Sequence, residues 1–137
     1  MNYAQLVEKA LEARQRAYAP HSGFLVGAAL LTAGGDIYTG CNIENAAYTP
    51  TNCAERTALF TAVEKGERRF AAIAVVGGRQ DAQTLDYCYP CGVCRQALVE
   101  FCPPDMPVVV GRTPQDYRVH TLGELLPYSF TPESLAK

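Results

Sequence analysis

The sequence predicts an α/β fold, a three-layer α-β-α arrangement around a mixed five-stranded sheet, and three observations carry that expectation. Apolar runs of strand length alternate with segments whose apolar residues recur at helical spacing. The turn Gly34-Gly35-Asp36 joins the first two runs into a hairpin, which pairs them antiparallel. Helical segments separate later runs, and such crossovers impose parallel pairing in the later half of the sheet.

The elements follow in chain order. Asn2 can cap a first helix with Gln5 at its N3 position, and Leu6, Val7, Ala10, Leu11, Ala17 and Tyr18 share one face until Pro20. VGAALLTA (26–33) and IYTGCNI (37–43) are the hairpin strands. A second helix starts near Cys53, carries Ala54, Ala58, Leu59, Ala62 and Val63 on its apolar face, and stops at Gly66. AAIAVVGG (71–78) is a third strand, followed by a loop and a helix from about Gly92 to Phe101, before Pro103-Pro104. PVVVGR (107–112) and YRVH (117–120) complete the sheet, and a capping box of Thr121 with Glu124 starts a short helix ahead of Pro127. The tail from Tyr128 to Lys137 has no clear pattern.

At 137 residues and 48% apolar content, the chain suits a single domain, 1–137, with one sheet and its covering helices. Twelve basic and fourteen acidic residues leave a net charge of −2 without a basic stripe, which argues against a nucleic-acid or membrane surface and for a small neutral partner. MNYAQLVEKALEARQRAY has neither an apolar signal region nor a membrane span, so a reducing cytoplasm is expected. In that setting six cysteines favour metal binding or chemistry over disulfides.

Three of those cysteines stand in CYPCGVC (88–94). The spacing alone admits an iron-sulfur cluster, a closed structural zinc, a catalytic zinc or a disulfide. If the second and third helices are neighbours, Cys53 and the pair Cys91 and Cys94 meet at two helix N-termini, whose amides and dipoles favour thiolates. Three protein ligands with an open fourth position is the catalytic zinc pattern. Three thiolates on a divalent metal carry a formal charge of −1, so a compensating cation is expected; Arg56 is the first candidate and Arg95 the second. Glu55, two residues from Cys53, can approach the metal without ligating it and pass protons. The plainer alternative makes Glu55 the capping-box partner of Asn52.

The pairing of CAE (53–55) with PCGVC (90–94) matches a zinc deaminase signature in an all-cysteine form. FLVGAAL (24–30), TGCNIENAAY (39–48), CAERTAL (53–59), PCGVCRQAL (90–98) and LLPYSF (125–130) resemble, in order, the small homotetrameric cytidine deaminases. The resemblance implies one zinc per chain on Cys53, Cys91 and Cys94, with zinc hydroxide attacking C4 of the pyrimidine while Glu55 donates to N3. Loss of ammonia then converts cytidine or 2′-deoxycytidine to the uridine nucleoside, a step of pyrimidine salvage. It further implies that Phe24 packs on the nucleoside and that Asn42 and Glu44 hold the sugar, Glu44 through the 3′-hydroxyl. Ala54 would offer its carbonyl to the substrate amine. Phe130 would reach a neighbouring subunit's site, with Tyr48 at the same interface.

His21, Tyr89 and Thr131 depart from the family's common tyrosine, serine and glycine, which puts the pocket rim and inter-subunit loop in question. His21 and His120 lack ligand spacing to the cysteines and are expected at the rim or surface. Two rival classes remain: a closed four-thiolate site that adds Cys88, and an iron-sulfur protein that uses Cys102. Neither accounts for CAER or CNIEN. Within the same fold, another pyrimidine-bearing substrate is a third alternative.

Overall fold

The computed structural model describes residues 2–136; Met1 and Lys137 lie outside them. The first helix, α1 (Tyr3–Arg14), begins with the expected reciprocal box, Asn2 and Gln5 each accepting from the other's backbone N–H. It stops at Arg14, well before the expected end at Pro20. Tyr18 forms a bridge to Ile43 instead, with Tyr18 N donating to Asn42 O at 3.0 Å and Glu44 N donating to Tyr18 O at 2.9 Å. Pairing with a distant segment outweighs the helical periodicity of Ala17 and Tyr18.

The chain continues through β1 (Phe24–Thr32), β2 (Ile37–Cys41), α2 (Ala54–Glu64), β3 (Phe70–Arg79), α3 (Gly92–Val99), β4 (Pro107–Thr113), β5 (Asp116–Thr121), α4 (Leu122–Leu125) and α5 (Pro132–Leu135). The five strands lie in the order β2-β1-β3-β4-β5. Among the five strands, parallel pairing, expected through the later half, joins β3 to β4 alone, across α3. β4 and β5 are antiparallel because only Pro114 and Gln115 separate them, a link far too short for a crossover. α5, for which the tail gave no pattern, has Pro132 in its first turn and Thr131 N donating to Ser134 Oγ at 3.1 Å.

Helices cover both faces of the sheet. On one, Leu6, Val7 and Ala10 of α1 pack with Ala29, Ala72, Ala74, Val76 and Val109. On the other, Ala58, Leu59, Leu98 and Leu122 of α2, α3 and α4 pack with Ala28, Leu30, Ile73, Val75 and Val108. Successive strand residues therefore point to opposite layers, and both are apolar because both faces are covered. Leu59 and Leu98 are essentially fully buried, each contributing about 1.5–3 kcal/mol, and they anchor α2 and α3 beside one another. No helix among the described residues is long and apolar enough to cross a membrane.

One close approach sets the site. A Cβ on Gly40 would lie 2.5 Å from both Ala54 O and Ala58 N, so glycine in β2 lets the first turn of α2 settle directly on the strand. β2 and β3, both antiparallel to β1, run in the same direction. The helices that follow them, α2 and α3, thus begin at the same end of the sheet.

Candidate metal centre

Cys53 is the N-cap of α2 and Cys91 the N-cap of α3, both with extended backbone and neither thiol bonded to its own helix start. Their carbonyls accept from Thr57 N and Arg95 N at 3.0 Å each, which fixes the main chain and leaves the sulfurs available. Cys94, in the first turn of α3, is fully buried. Cys53 Sγ lies 3.8 Å from Cys91 Sγ, Cys91 Sγ lies 3.6 Å from Cys94 Sγ, and all three sulfurs lie within 4.8 Å of one another. Sulfurs bound tetrahedrally at about 2.3 Å would sit roughly 3.8 Å apart, so the donor set fits a zinc ion.

Among the described residues, no other His, Cys, Asp or Glu joins this group. Cys88 faces the sheet instead: its sulfur would be 2.8 Å from a Cβ on Gly77, and burial pushes its thiol up to about 11. Cys102 packs in the apolar layer beneath α3 and α4. The closed four-thiolate and iron-sulfur alternatives therefore lack their fourth sulfur. All six cysteines are free thiols.

The charges around the sulfurs are organised. The Cys53 thiol is pulled down to about 5, first by hydrogen bonding from Cys94 and then, against burial, by Arg56, whose Nη2 lies 3.3 Å from Cys53 Sγ. Cys94, the donor to Cys53, is pushed up. Contact with Cys53 holds Arg56 more firmly protonated than usual. Arg95 makes other contacts, its Nε donating to Pro90 O and its Nη1 to Leu125 O, both at 2.7 Å. It braces the turn before Cys91 rather than bonding to sulfur.

Glu55, in the first turn of α2, is only 4% exposed. Burial pushes its carboxyl up to about 7, and the charge of Cys53 adds to the effect. Its carboxylate lies outside the ligand-distance group. The Asn52 capping box is not formed, because Cys53 holds the cap position and Asn52 Nδ2 donates to Thr57 Oγ1 at 3.1 Å.

The expected sugar-binding residues lie past the end of β2. Asn42 is buried, its Oδ1 accepting from Val26 N and its Nδ2 donating to Phe24 O, both at 2.8 Å. Glu44 accepts from His21 N at 2.9 Å, from Ser22 N at 3.1 Å and from the Ser22 hydroxyl, and the Ser22 bonds hold its carboxyl below the usual range. Both side chains thus grip the segment leading into β1. Glu44 and the exposed Tyr48 line one cleft of about 370 Å³; Phe24 and Cys88 line another of about 330 Å³. Phe130 is 60% exposed, and its carbonyl accepts from Gln96 Nε2 at 2.8 Å.

Ala54 requires a change of role. Its carbonyl lies beside Ala58 N against Gly40, turned into the helix and away from its open end. At the start of a helix it is the N–H groups that lack partners, so the backbone group that Ala54 leaves open is its N–H. Sequence reasoning also missed Ser22, which closes on Glu44 with hydroxyl and amide together. The only signal was a Ser-Gly pair before the strand, which reads as an ordinary turn.

Residues 1–110 match the family described as the cytidine and deoxycytidylate deaminase zinc-binding region. The chain is 48% identical over 136 residues to the cytidine deaminase of Sporosarcina psychrophila, covering 99% of this chain and 96% of that protein. It is 48% identical over 135 residues to the cytidine deaminase of Halalkalibacterium halodurans, covering 98% of each. The crystal structure of cytidine deaminase from Burkholderia pseudomallei superposes with a TM-score of 0.86 at 48% identity, covering 95% of this chain and 100% of that one. Three thiols at zinc spacing on two helix starts, on a fold and sequence shared at this level, place the chain in the cytidine and deoxycytidylate deaminase family.

Proposed function

We propose that the chain hydrolyses cytidine and 2′-deoxycytidine to uridine and 2′-deoxyuridine, releasing ammonia, at the site formed by Cys53, Cys91, Cys94 and Glu55. The observation that carries this is a buried carboxyl, poised at about 7, in the α2 turn that Cys53 caps, with Cys53 part of a three-thiol group at zinc spacing. Zinc held there supplies a Lewis acid and a nucleophile drawn from water at neutral pH. Arg56 offsets part of the thiolate charge through its bond to Cys53.

A carboxyl near 7 can both accept and donate a proton under working conditions. Glu55 takes one proton from the attacking water and delivers it to N3 of the pyrimidine, then takes the second from the hydroxyl added at C4 and delivers it to the exocyclic nitrogen, which leaves as ammonia. The Ala54 N–H faces the open end of α2 and suits an acceptor on the ring, such as O2. Phe24 packs against the nucleoside. Asn42 and Glu44 hold the ribose with the bonding capacity that their backbone contacts leave open.

Tyr48 and Phe130 are 76% and 60% exposed, and exposed aromatics of this kind suit burial against another copy of the chain. The proposed reading extends to a homotetramer whose sites are completed by neighbouring subunits, a single domain, 1–137, a cytoplasmic setting and a place in pyrimidine salvage. Six free thiols suit a reducing compartment.

Metal analysis with ultraviolet monitoring of cytidine and deoxycytidine turnover tests the proposal. One zinc per chain and turnover of both nucleosides are expected, with Cys88→Ser unchanged in both respects. Zinc lost from Cys88→Ser overturns the three-ligand assignment; a zinc-loaded wild type inert toward both nucleosides overturns the activity.

A further inference from the structure

The residues directly after Cys94 have no partner at the thiols, yet both are bonded. Arg95 joins Pro90 O, the carbonyl before Cys91, to Leu125 O at the end of α4. Gln96 is exposed, and its side chain donates to Phe130 O. The two side chains thus grip the ends of the arm that runs from Leu125 to Phe130. Within this arm Tyr128 has φ +52°, a left-handed conformation that a bulky side chain adopts only when held. Tyr128 is fully exposed, so its own side chain does not hold it. The α4 end is firm, since Leu122 is buried and Thr121 and Glu124 form a capping box. The arm is thus docked with both end bonds made, and breaking them would let Tyr128 relax and take the arm out of contact with α3.

We infer that Arg95 and Gln96 act as positioning residues, forming a strut that couples metal occupancy at Cys91 and Cys94 to docking of the 125–130 arm. The inference rests on the assignment of those cysteines as zinc ligands. Zinc fixes the first turn of α3, and that turn presents Arg95 and Gln96 to the arm in bonding position. By linkage the effect is reciprocal: a docked arm slows zinc loss, and bound zinc orders the arm. A site that lost its metal would then also loosen the segment that carries Phe130.

The test combines zinc transfer to a chromogenic chelator with hydrogen exchange of the peptide covering residues 125–130. In the zinc-loaded protein, Gln96→Leu and Arg95→Gln should release zinc about fivefold or more faster than wild type. Gln96→Leu is informative by itself, because the side chain is exposed and distant in bonding from the sulfurs. In the wild type, stripping zinc should speed exchange in the arm peptide, and that difference should shrink in Arg95→Gln. Wild-type zinc release in both variants, or arm exchange indifferent to zinc, overturns the coupling. Cys94→Ala separates the two levels: zinc retained at full occupancy there overturns the ligand assignment itself, whereas zinc lost there with both strut variants unaffected overturns the coupling alone.

Discussion

The two ends of the site handle their polar atoms in opposite ways. At the metal end, the helix starts use backbone carbonyls for their own bonds and leave the sulfurs of Cys53 and Cys91 free of capping duty. At the end proposed to hold the sugar, Asn42 and Glu44 are already bonded to the chain, Asn42 through two backbone partners and Glu44 through three donors from His21 and Ser22. A metal needs one lone pair of each ligand aimed at it and no cap bond using that pair, while a bond such as that from Arg56 to Cys53 can stay beside it. A sugar hydroxyl needs only one remaining lone pair or N–H, and a side chain already bonded elsewhere presents it in a fixed direction. Asn42 retains one amide hydrogen and one lone pair, and a carboxylate with about four acceptor sites retains one beyond Ser22 and His21.

The sharpest way to break this contrast is Glu55→Gln. An amide fills the same space, makes no difference to the three sulfurs, and cannot carry the proton. Turnover should fall about 10²- to 10⁴-fold or more while the zinc content stays at the wild-type level. Parallel metal analysis and cytidine kinetics check it. Loss of zinc together with activity would mean that Glu55 supports the ligands, and the division between free and engaged atoms would fail.

A second substitution probes the engaged end. Asn42→Leu removes both bonds to the start of β1 and leaves Val26 N and Phe24 O without their partner. Stability should fall by about 1–3 kcal/mol in urea unfolding, and KM should rise because Phe24 loses its tether. Zinc content should be unaffected, since no bond of Asn42 reaches the cysteines. A variant with normal stability and raised KM would make Asn42 purely a substrate ligand, free in the same sense as the sulfurs.

The metal end was the more legible of the two in the sequence, for the same physical reason. Ligand chemistry is written in residue type and spacing, and N-cap cysteines with a PCxxC turn leave few arrangements open. The capping box at Asn2, the hairpin at Gly34-Gly35 and the alternation of strands and helices were legible likewise, being local. What stayed hidden was set by partners far away in sequence. The end of α1 at Arg14 depends on Tyr18 meeting Ile43, and the direction of the Ala54 carbonyl depends on Gly40 lying beneath it. Arg95 is the clearest case. Its position beside Cys94 suggested a bond to sulfur, but its donors reach two carbonyls, one of them in α4.

Glu44→Gln is the gentlest probe of the comparison. The amide keeps one acceptor oxygen but cannot accept from all three donors at once, and it places N–H groups where His21 N and Ser22 N already point. KM for cytidine should rise about three- to tenfold with little change in kcat, since the sugar hydroxyl loses a charged acceptor while the proton path is untouched. Stability should show a pH signature. Hydrogen bonds from Ser22 lower the folded pKa of Glu44, so its contribution is fully present above the ordinary glutamate range and fades as pH falls through the lowered value. The wild type should therefore melt above Glu44→Gln at pH 7, and the gap should begin to narrow below about pH 4 and close only below the lowered folded value. A gap that persists at low pH would show that the variant's loss comes from shape rather than from the carboxylate, and that the sugar end is held by packing instead of by the three donors.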